Sequence, residues 1–194
     1  MANDSSTGGY LQPTAPSPPL EDAALDAVFQ QLIVGLTGLP GNMVRPRWQP
    51  TVPKMPEPTQ NWCAVGVTGI DQDFAPTIVH VPDTAGTDKL YRNEILTLTA
   101  SFYGPAAMQY AAQARDGIFV AQNHGMLELS GMGLIDVGRL TAAPELLNQQ
   151  WLRRYDLQFR VRRQVERTYS VLNLLSAHGT INRDPDTTDF VVEQ

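Results

Sequence analysis

The sequence predicts an α+β fold: an antiparallel β-sheet flanked by helices, with extended N- and C-terminal tails. Three stretches predict it. Glu94 to Asn123 reads as strand, tight corner, helix. Trp151 to Val161 alternates apolar and polar residues with a period of two, the pattern of a half-buried strand. Met1 to Pro19 holds Ser, Thr, Gly, Ala and Pro with few large apolar residues, too little apolar surface to fold alone. The expected division is a tail over 1–19, one α+β domain over 20–181 and a second tail over 182–194.

Each element follows from local chemistry. Leu20 to Gly38 is predicted as a helix, with Leu25, Val28, Phe29, Leu32, Ile33 and Leu36 on one stripe. Glu21, Asp22 and Asp26 suit the positive end of its dipole, and Gly38 and Pro40 stop it. Pro40 to Pro58 carries six prolines and must be extended and loop-like. Within it, Arg45-Pro46-Arg47-Trp48-Gln49 reads either as a docking element or as a loop whose Trp48 fills a gap in its own domain. Trp62 to Ile70 and Thr77 to Val81 read as strands, the second short or at an edge between Pro76 and Pro82. With Leu90 to Phe102 they suggest an antiparallel meander.

Gly104-Pro105 turns the chain after that long strand, and Pro105 suits a first helical turn, where its missing N–H has no partner to lose. Met108, Ala111, Ala112, Arg115 and Phe119 then recur three and four apart. Gly125 to Val137 reads only as irregular strand or loop, and Ala142 to Asn148 as a helical turn or two. In the strand from Trp151, Tyr155, Leu157, Phe159 and Val161 point one way, and Arg154, Asp156, Gln158, Arg160 and Arg162 the other. Tyr169 to Ala177 is a further strand candidate whose leucines also fit a helix. The final tail has one apolar patch, Phe190-Val191-Val192.

Length and composition set the class. At 194 residues and 42% apolar the chain can build one sizeable core. No apolar run approaches the roughly 20 residues of a membrane span, and no secretory leader is expected at the N-terminus. Cys63 is the lone cysteine, so no internal disulfide or Cys-rich metal site is expected. The net charge of −6 argues against free nucleic acid as a partner of the whole surface. Charge is uneven, however. Trp151 to Tyr169 carries six arginines against Asp156 and Glu166, while Asp184 to Gln194 carries four acids and no base. A chain with a basic strand and an acidic tail can bind copies of itself head to tail. The plainer alternative is a solvated strand face and a solvated terminus.

Catalytic motifs are missing from the sequence. His80, His124 and His178 are far apart without metal-ligand spacing, and each reads as a surface or strand residue. Cys63 follows Trp62 in a strand and reads as a small buried hydrophobe. Gly131-Met132-Gly133 lacks the third glycine of a dinucleotide site, and Asp71 and Asp73 lack the further acids of a calcium loop. The arginine face from Trp151 offers charge without aromatics beside it, unlike a nucleic-acid surface. No enzyme activity and no cofactor is expected.

Several phrases, in order, resemble the neck or tail terminator family of long-tailed bacteriophages. They are Arg45-Pro46-Arg47-Trp48-Gln49, Asn61-Trp62-Cys63-Ala64-Val65-Gly66-Val67, Glu94-Ile95-Leu96, Ser101-Phe102-Tyr103-Gly104-Pro105, Arg115-Asp116-Gly117, Gln122-Asn123 and the alternating strand Trp151 to Arg163. The resemblance covers Leu25 to Ala177 and rests on order and spacing. It implies a tail-terminator-like fold and a structural virion protein at the head–tail junction, assembled in the host cytoplasm. Such proteins form a ring, typically of about six subunits, that caps the tail tube and joins it to the connector below the capsid. Implied partners are further copies of the chain, the tail tube protein, the neck or connector protein and, in contractile tails, the sheath. Genomic DNA would pass through the channel without specific binding, where like charge keeps it from sticking. No membrane partner is implied. The alternative is a head-completion adaptor on the portal, a class that tends to be helical. Expected interface residues are Arg45, Arg47 and Trp48 in the proline-rich stretch, Arg154, Arg160 and Arg162 facing an acidic neighbour, and Phe190, Val191 and Val192, or alternatively the N-terminal tail, on a neighbour's surface or sheet edge.

Overall fold

The computed structural model describes residues 3–14, 20–49, 51, 53–82, 85–147, 149–174, 176–183 and 186–193. In chain order its elements are α1 (Asp22–Thr37), a 3-10 turn (Gly41–Met43), β1 (Val44–Pro46), β2 (Trp62–Gln72), β3 (Thr77–Val81) and β4 (Thr87–Tyr103). Then follow α2 (Ala107–Gly117), α3 (Ala121–Leu129), β5 (Met132–Ala142), β6 (Glu145–Leu147), β7 (Gln150–Leu152), β8 (Arg154–Tyr169), β9 (Ser176–Arg183) and β10 (Asp186–Glu193). The fold is α+β, with a sheet in the order β1-β2-β4-β8-β5 and β3 paired to β4. The β2–β4, β3–β4 and β5–β8 pairs are antiparallel, as expected, while β1 joins β2 in parallel and makes the sheet mixed. The chain divides into two units, Pro18–Pro76 with Arg92–Val165, and Met1–Ser17 with Thr77–Tyr91 and Glu166–Gln194.

In the larger unit the helices cover one face of the sheet. The apolar stripe of α1 buries Leu25, Phe29, Leu32, Ile33 and Leu36, and the helix ends where Gly38, at φ 71°, donates its N–H to the Val34 carbonyl. These side chains meet Cys63 and Val65 of β2, Leu96, Leu98, Ala100 and Phe102 of β4, and Leu157, Phe159 and Val161 of β8. Phe29 packs edge-on against Phe159 with centroids 6.4 Å apart. Helix α2 contributes buried Ala107, Ala111 and Ala114, whose small side chains let it lie close to the sheet. Truncating a fully buried aromatic such as Phe29 to Ala costs about 3–5 kcal/mol.

The corner between β4 and α2 depends on two residues. Gly104 sits at φ 107°, and a Cβ there would lie 2.4 Å from the Gln60 carbonyl oxygen. Asn61 accepts the Ala106 N–H at 2.8 Å through its side-chain oxygen, satisfying a donor at the start of α2.

Several expectations need correction. The stretch read as irregular from Gly125 to Val137 is the end of α3, a turn at Gly131 and the first half of β5. The glycines hid both elements: Gly125 lies inside a helix it does not favour, and β5 is broken by register shifts after Leu134 and Val137. The helical turn expected over Ala142 to Asn148 is instead β6, paired with β7 through a tight connection with Gln149 at φ 62°. The three strands from Trp62 are no simple meander, because β2 and β3 both take β4 as partner. The alternating strand from Trp151 is split at Arg153 into β7 and β8.

In the smaller unit β3 pairs with the Thr87–Tyr91 part of β4. His80 bonds Asp88 at 2.7 Å and Asn173 at 2.9 Å through its two ring nitrogens. The N-terminal segment lies against the end of β8: Thr14 donates its N–H to the Thr168 carbonyl at 2.7 Å, and Ser5 its N–H to that of Ser170 at 3.2 Å. Residues 176–193 form the antiparallel hairpin β9–β10, with Asp186 opposite Arg183 and Glu193 opposite Ser176. Of the stretches read from sequence, Met1, Ala2, 15–19, Pro50, Asn148, Leu175, Asp184 and Gln194 lie outside the described residues.

Candidate assembly interface

The face of the sheet turned away from the helix-packed core is built on arginines. Alternation along β2 and β4 puts Trp62, Ala64 and Gly66 beside Tyr103, Ser101 and Thr99. Trp62 and Tyr103 stack at 4.2 Å with planes 6° apart. The Arg45 guanidinium lies 5.9 Å from the Trp62 ring and that of Arg154 lies 5.6 Å from the Tyr103 ring. Leu152 of β7, with Met43 and Ala64, closes this small second cluster. Burial pushes the Tyr103 hydroxyl pKa up, against the pull of Arg154.

Ser101 is the meeting point of two arginines, one just after β1 and one on β8. It is fully buried near the end of β4. Arg47 donates to its hydroxyl at 2.6 Å and Arg154 at 3.4 Å. Arg154 also grips Asp156 with two bonds of 2.8 and 2.9 Å and bonds Glu145 of β6. Partial burial works against its charge, but the hydrogen bonds to Asp156 and Glu145 outweigh it and hold the pKa above that of a free arginine. A cation fixed this firmly keeps its partners' geometry as well as its own.

The expected interface residues are not equivalent. Arg154 and Arg160 both face carboxylates of their own chain: Arg160 reaches across to Asp136 of β5 at 3.0 and 3.1 Å. That contact holds the Asp136 carboxyl below its ordinary pKa. Arg162 is exposed beside Gly133, with no carboxylate partner among the described residues. Arg163, not singled out from the sequence, forms the most buried ion pair, 2.8 Å from Glu94. Trp48 is 66% exposed, with its indole N–H 3.4 Å from the Val67 carbonyl and the Arg47 guanidinium 6.0 Å from its ring. It fills no gap in the core. Phe190, Val191 and Val192 lie in β10 opposite Gly179, His178 and Ala177, and Val191 is exposed.

Arg45 and Arg47 share a pocket of about 280 Å³ with Pro46, Gln49, Met55 and Trp62. Arg45 donates to the Asn42 and Lys54 carbonyls at 3.2 and 2.8 Å, tying the proline-rich loop to β1. Neither arginine has a carboxylate partner among the described residues, and the Arg47 Nε is buried without an acceptor.

Sequence reasoning missed Ser101, Glu145, Asp136 and the Trp62–Tyr103 stack. One signal was available: Asp156 lies two residues from Arg154 and so on the same strand face. The other partners come from different strands and needed the register. Cys63 is buried, and burial pushes its thiol pKa far above the ordinary value, as suits a core residue rather than a nucleophile. Among the described residues, no group of acids, histidines and cysteine is placed to hold a metal. No helix among the described residues is long and apolar enough to cross a membrane.

The outer face of this helix-backed sheet is braced by arginine, carboxylate and aromatic side chains. The sequence model of the family described as phage neck terminator protein matches residues 23–185, and the chain belongs to that family. It is a structural protein of the phage neck and a component of the virion. No curated protein matches the chain.

Proposed function

We propose that the protein closes into a ring of about six copies that caps the tail tube and joins it to the connector below the capsid. The observation that carries this reading is the family match across 23–185, which, apart from Asp22 at the start of α1, takes in the described helices and the six-stranded sheet. Partners in this role are further copies of the chain, the tube protein and the neck or connector protein, with the sheath added in a contractile tail. The net charge of −6 suits a channel wall along which DNA slides without sticking. Surfaces left for subunit contact are Arg45, Arg47 and Trp48, Arg162, and the exposed part of β10; Arg154 and Arg160, held by their own carboxylates, brace the face behind them.

The test is negative-stain imaging of purified tail tubes incubated with the protein. One end of each tube should gain a cap, and capped tubes should stop taking up tube subunits. Tubes that bind no protein at either end would defeat the proposal.

A further inference from the structure

We infer that the Arg45–Arg47 pocket receives the acidic β9–β10 hairpin of a second copy of the chain, and that this contact links neighbours in the assembly. The inference rests on the ring reading above and names the contact that closes it.

Two unfinished features of one molecule carry the inference. The first is the pocket. Arg92, Arg115, Arg154, Arg160 and Arg163 have carboxylates within 4 Å; among the described residues Arg45 and Arg47, like Arg139, Arg153 and Arg162, have none, and Arg45 and Arg47 line one recess together. Their guanidiniums instead contact aromatic rings, backbone carbonyls and one serine, leaving donors over in a recess walled by Trp62, Pro46 and Met55. Among the described residues the Arg47 Nε has no acceptor, but it is buried, so the donors available to a partner are the remaining guanidinium N–H groups. Such a recess fits a carboxylate followed by apolar side chains. It suits side-chain capture better than strand addition, because Pro46 offers no N–H on the short edge strand β1.

The second feature is the hairpin. Among the described residues, β9 and β10 form a sheet of their own and pair with no other strand. A lone two-stranded hairpin is marginal in water and gains stability from a surface to lie on. The hairpin sequence 176–193 carries Asp184, Asp186, Asp189 and Glu193 against Arg183, which lies opposite Asp186, and Phe190-Val191-Val192 falls between Asp189 and Glu193. Acid and apolar residues thus occur together in the segment, matching arginine and aromatic together in the pocket. A contact between two different surfaces of identical chains is head-to-tail, the kind that closes into a ring.

The test is a charge swap in the full chain, read by light scattering at about 0.15 M salt, where exposed charges are screened beyond about 8 Å. Arg45→Glu alone, and Asp186→Lys with Asp189→Lys alone, should each raise the concentration for half-assembly by roughly a hundredfold or more, since like charges then face each other. Mixing the two variants should restore assembly, because each supplies the complementary surface the other lacks. Restoration also shows that both variants are folded. Arg45→Glu chains that assemble like the wild type would overturn the inference while leaving the ring intact. So would variants that fail alone and stay apart when mixed, or a loss confined to binding tubes, which would assign the pocket to the tube protein. A wild-type chain that never self-associates, alone or on tubes, removes the ring reading and this inference with it.

Discussion

Replacing Arg154 by Met tests whether the outer face of the sheet is held by its ion network or merely decorated by it. Methionine keeps most of the stem's packing against Tyr103 and removes the charge. The wild-type guanidinium makes two bonds to Asp156, one to Glu145 and a weak one to Ser101. Arg154 and Asp156 are 22% and 20% exposed in their side chains, and Glu145 is 42% exposed. Exposed pairs are worth about 0–1 kcal/mol, and breaking a fully buried pair costs about 3–5 kcal/mol. Four-fifths burial places this pair between the two, so the loss should be about 2 kcal/mol. For a chain of this length that is a fall in Tm of about 4–8 °C. Urea unfolding followed by circular dichroism measures it. Asp156→Asn in the Arg154→Met background should recover part of the loss, a coupling of about 1 kcal/mol. Arg160→Met, at a pair nearly half exposed, should cost far less. Equal losses at the two arginines would refute the reasoning, because burial would then not decide their worth.

Other expectations follow from the same geometry. Gly104→Ala forces a Cβ against the Gln60 carbonyl at positive φ, and should lower stability by about 1–3 kcal/mol in the same urea assay. Cys63 should resist thiol reagents at pH 8 until urea unfolds the chain, since burial both hides the thiol and raises its pKa. The Asp136 carboxyl is held below its ordinary pKa by Arg160, so its contribution is present above the unfolded value near 3.8 and is lost as pH falls through the folded value. Asp136→Asn should therefore flatten the acid limb of the stability–pH curve while changing little of its shape above pH 5.

Strong local periodicity was legible in the sequence. The stripe of α1, the strand and corner before α2 and the alternation of β8 each repeat their signal over several residues, and the structure places them where the pattern does. The helix after the corner is present, but it buries Ala107, Ala111 and Ala114 and leaves Met108 exposed, and Phe119 lies past its end and is exposed. Weak or interrupted periodicity was not. In α3 a glycine sits mid-helix, and β5 slips register twice, so neither shows its period cleanly. The β6–β7 hairpin is three residues on each side, too short to show a period at all. The interface suffered for a different reason. Arg154 and Arg160 were correctly put on the outer face, but whether an arginine is free or paired depends on Glu145 and Asp136, which come from other strands. Only the register reveals those partners, and among the interface candidates it leaves Arg45, Arg47 and Arg162 without a carboxylate among the described residues.

The most direct measurement of the central claim is the mass of the purified chain by light scattering, with negative-stain images of the same sample before and after adding tail tubes. Closed rings of about six copies, free in solution or assembled on tube ends, are the expected result, since head-to-tail contacts whose rotation closes form a ring. A chain that stays monomeric in solution and leaves the tube ends bare would contradict it.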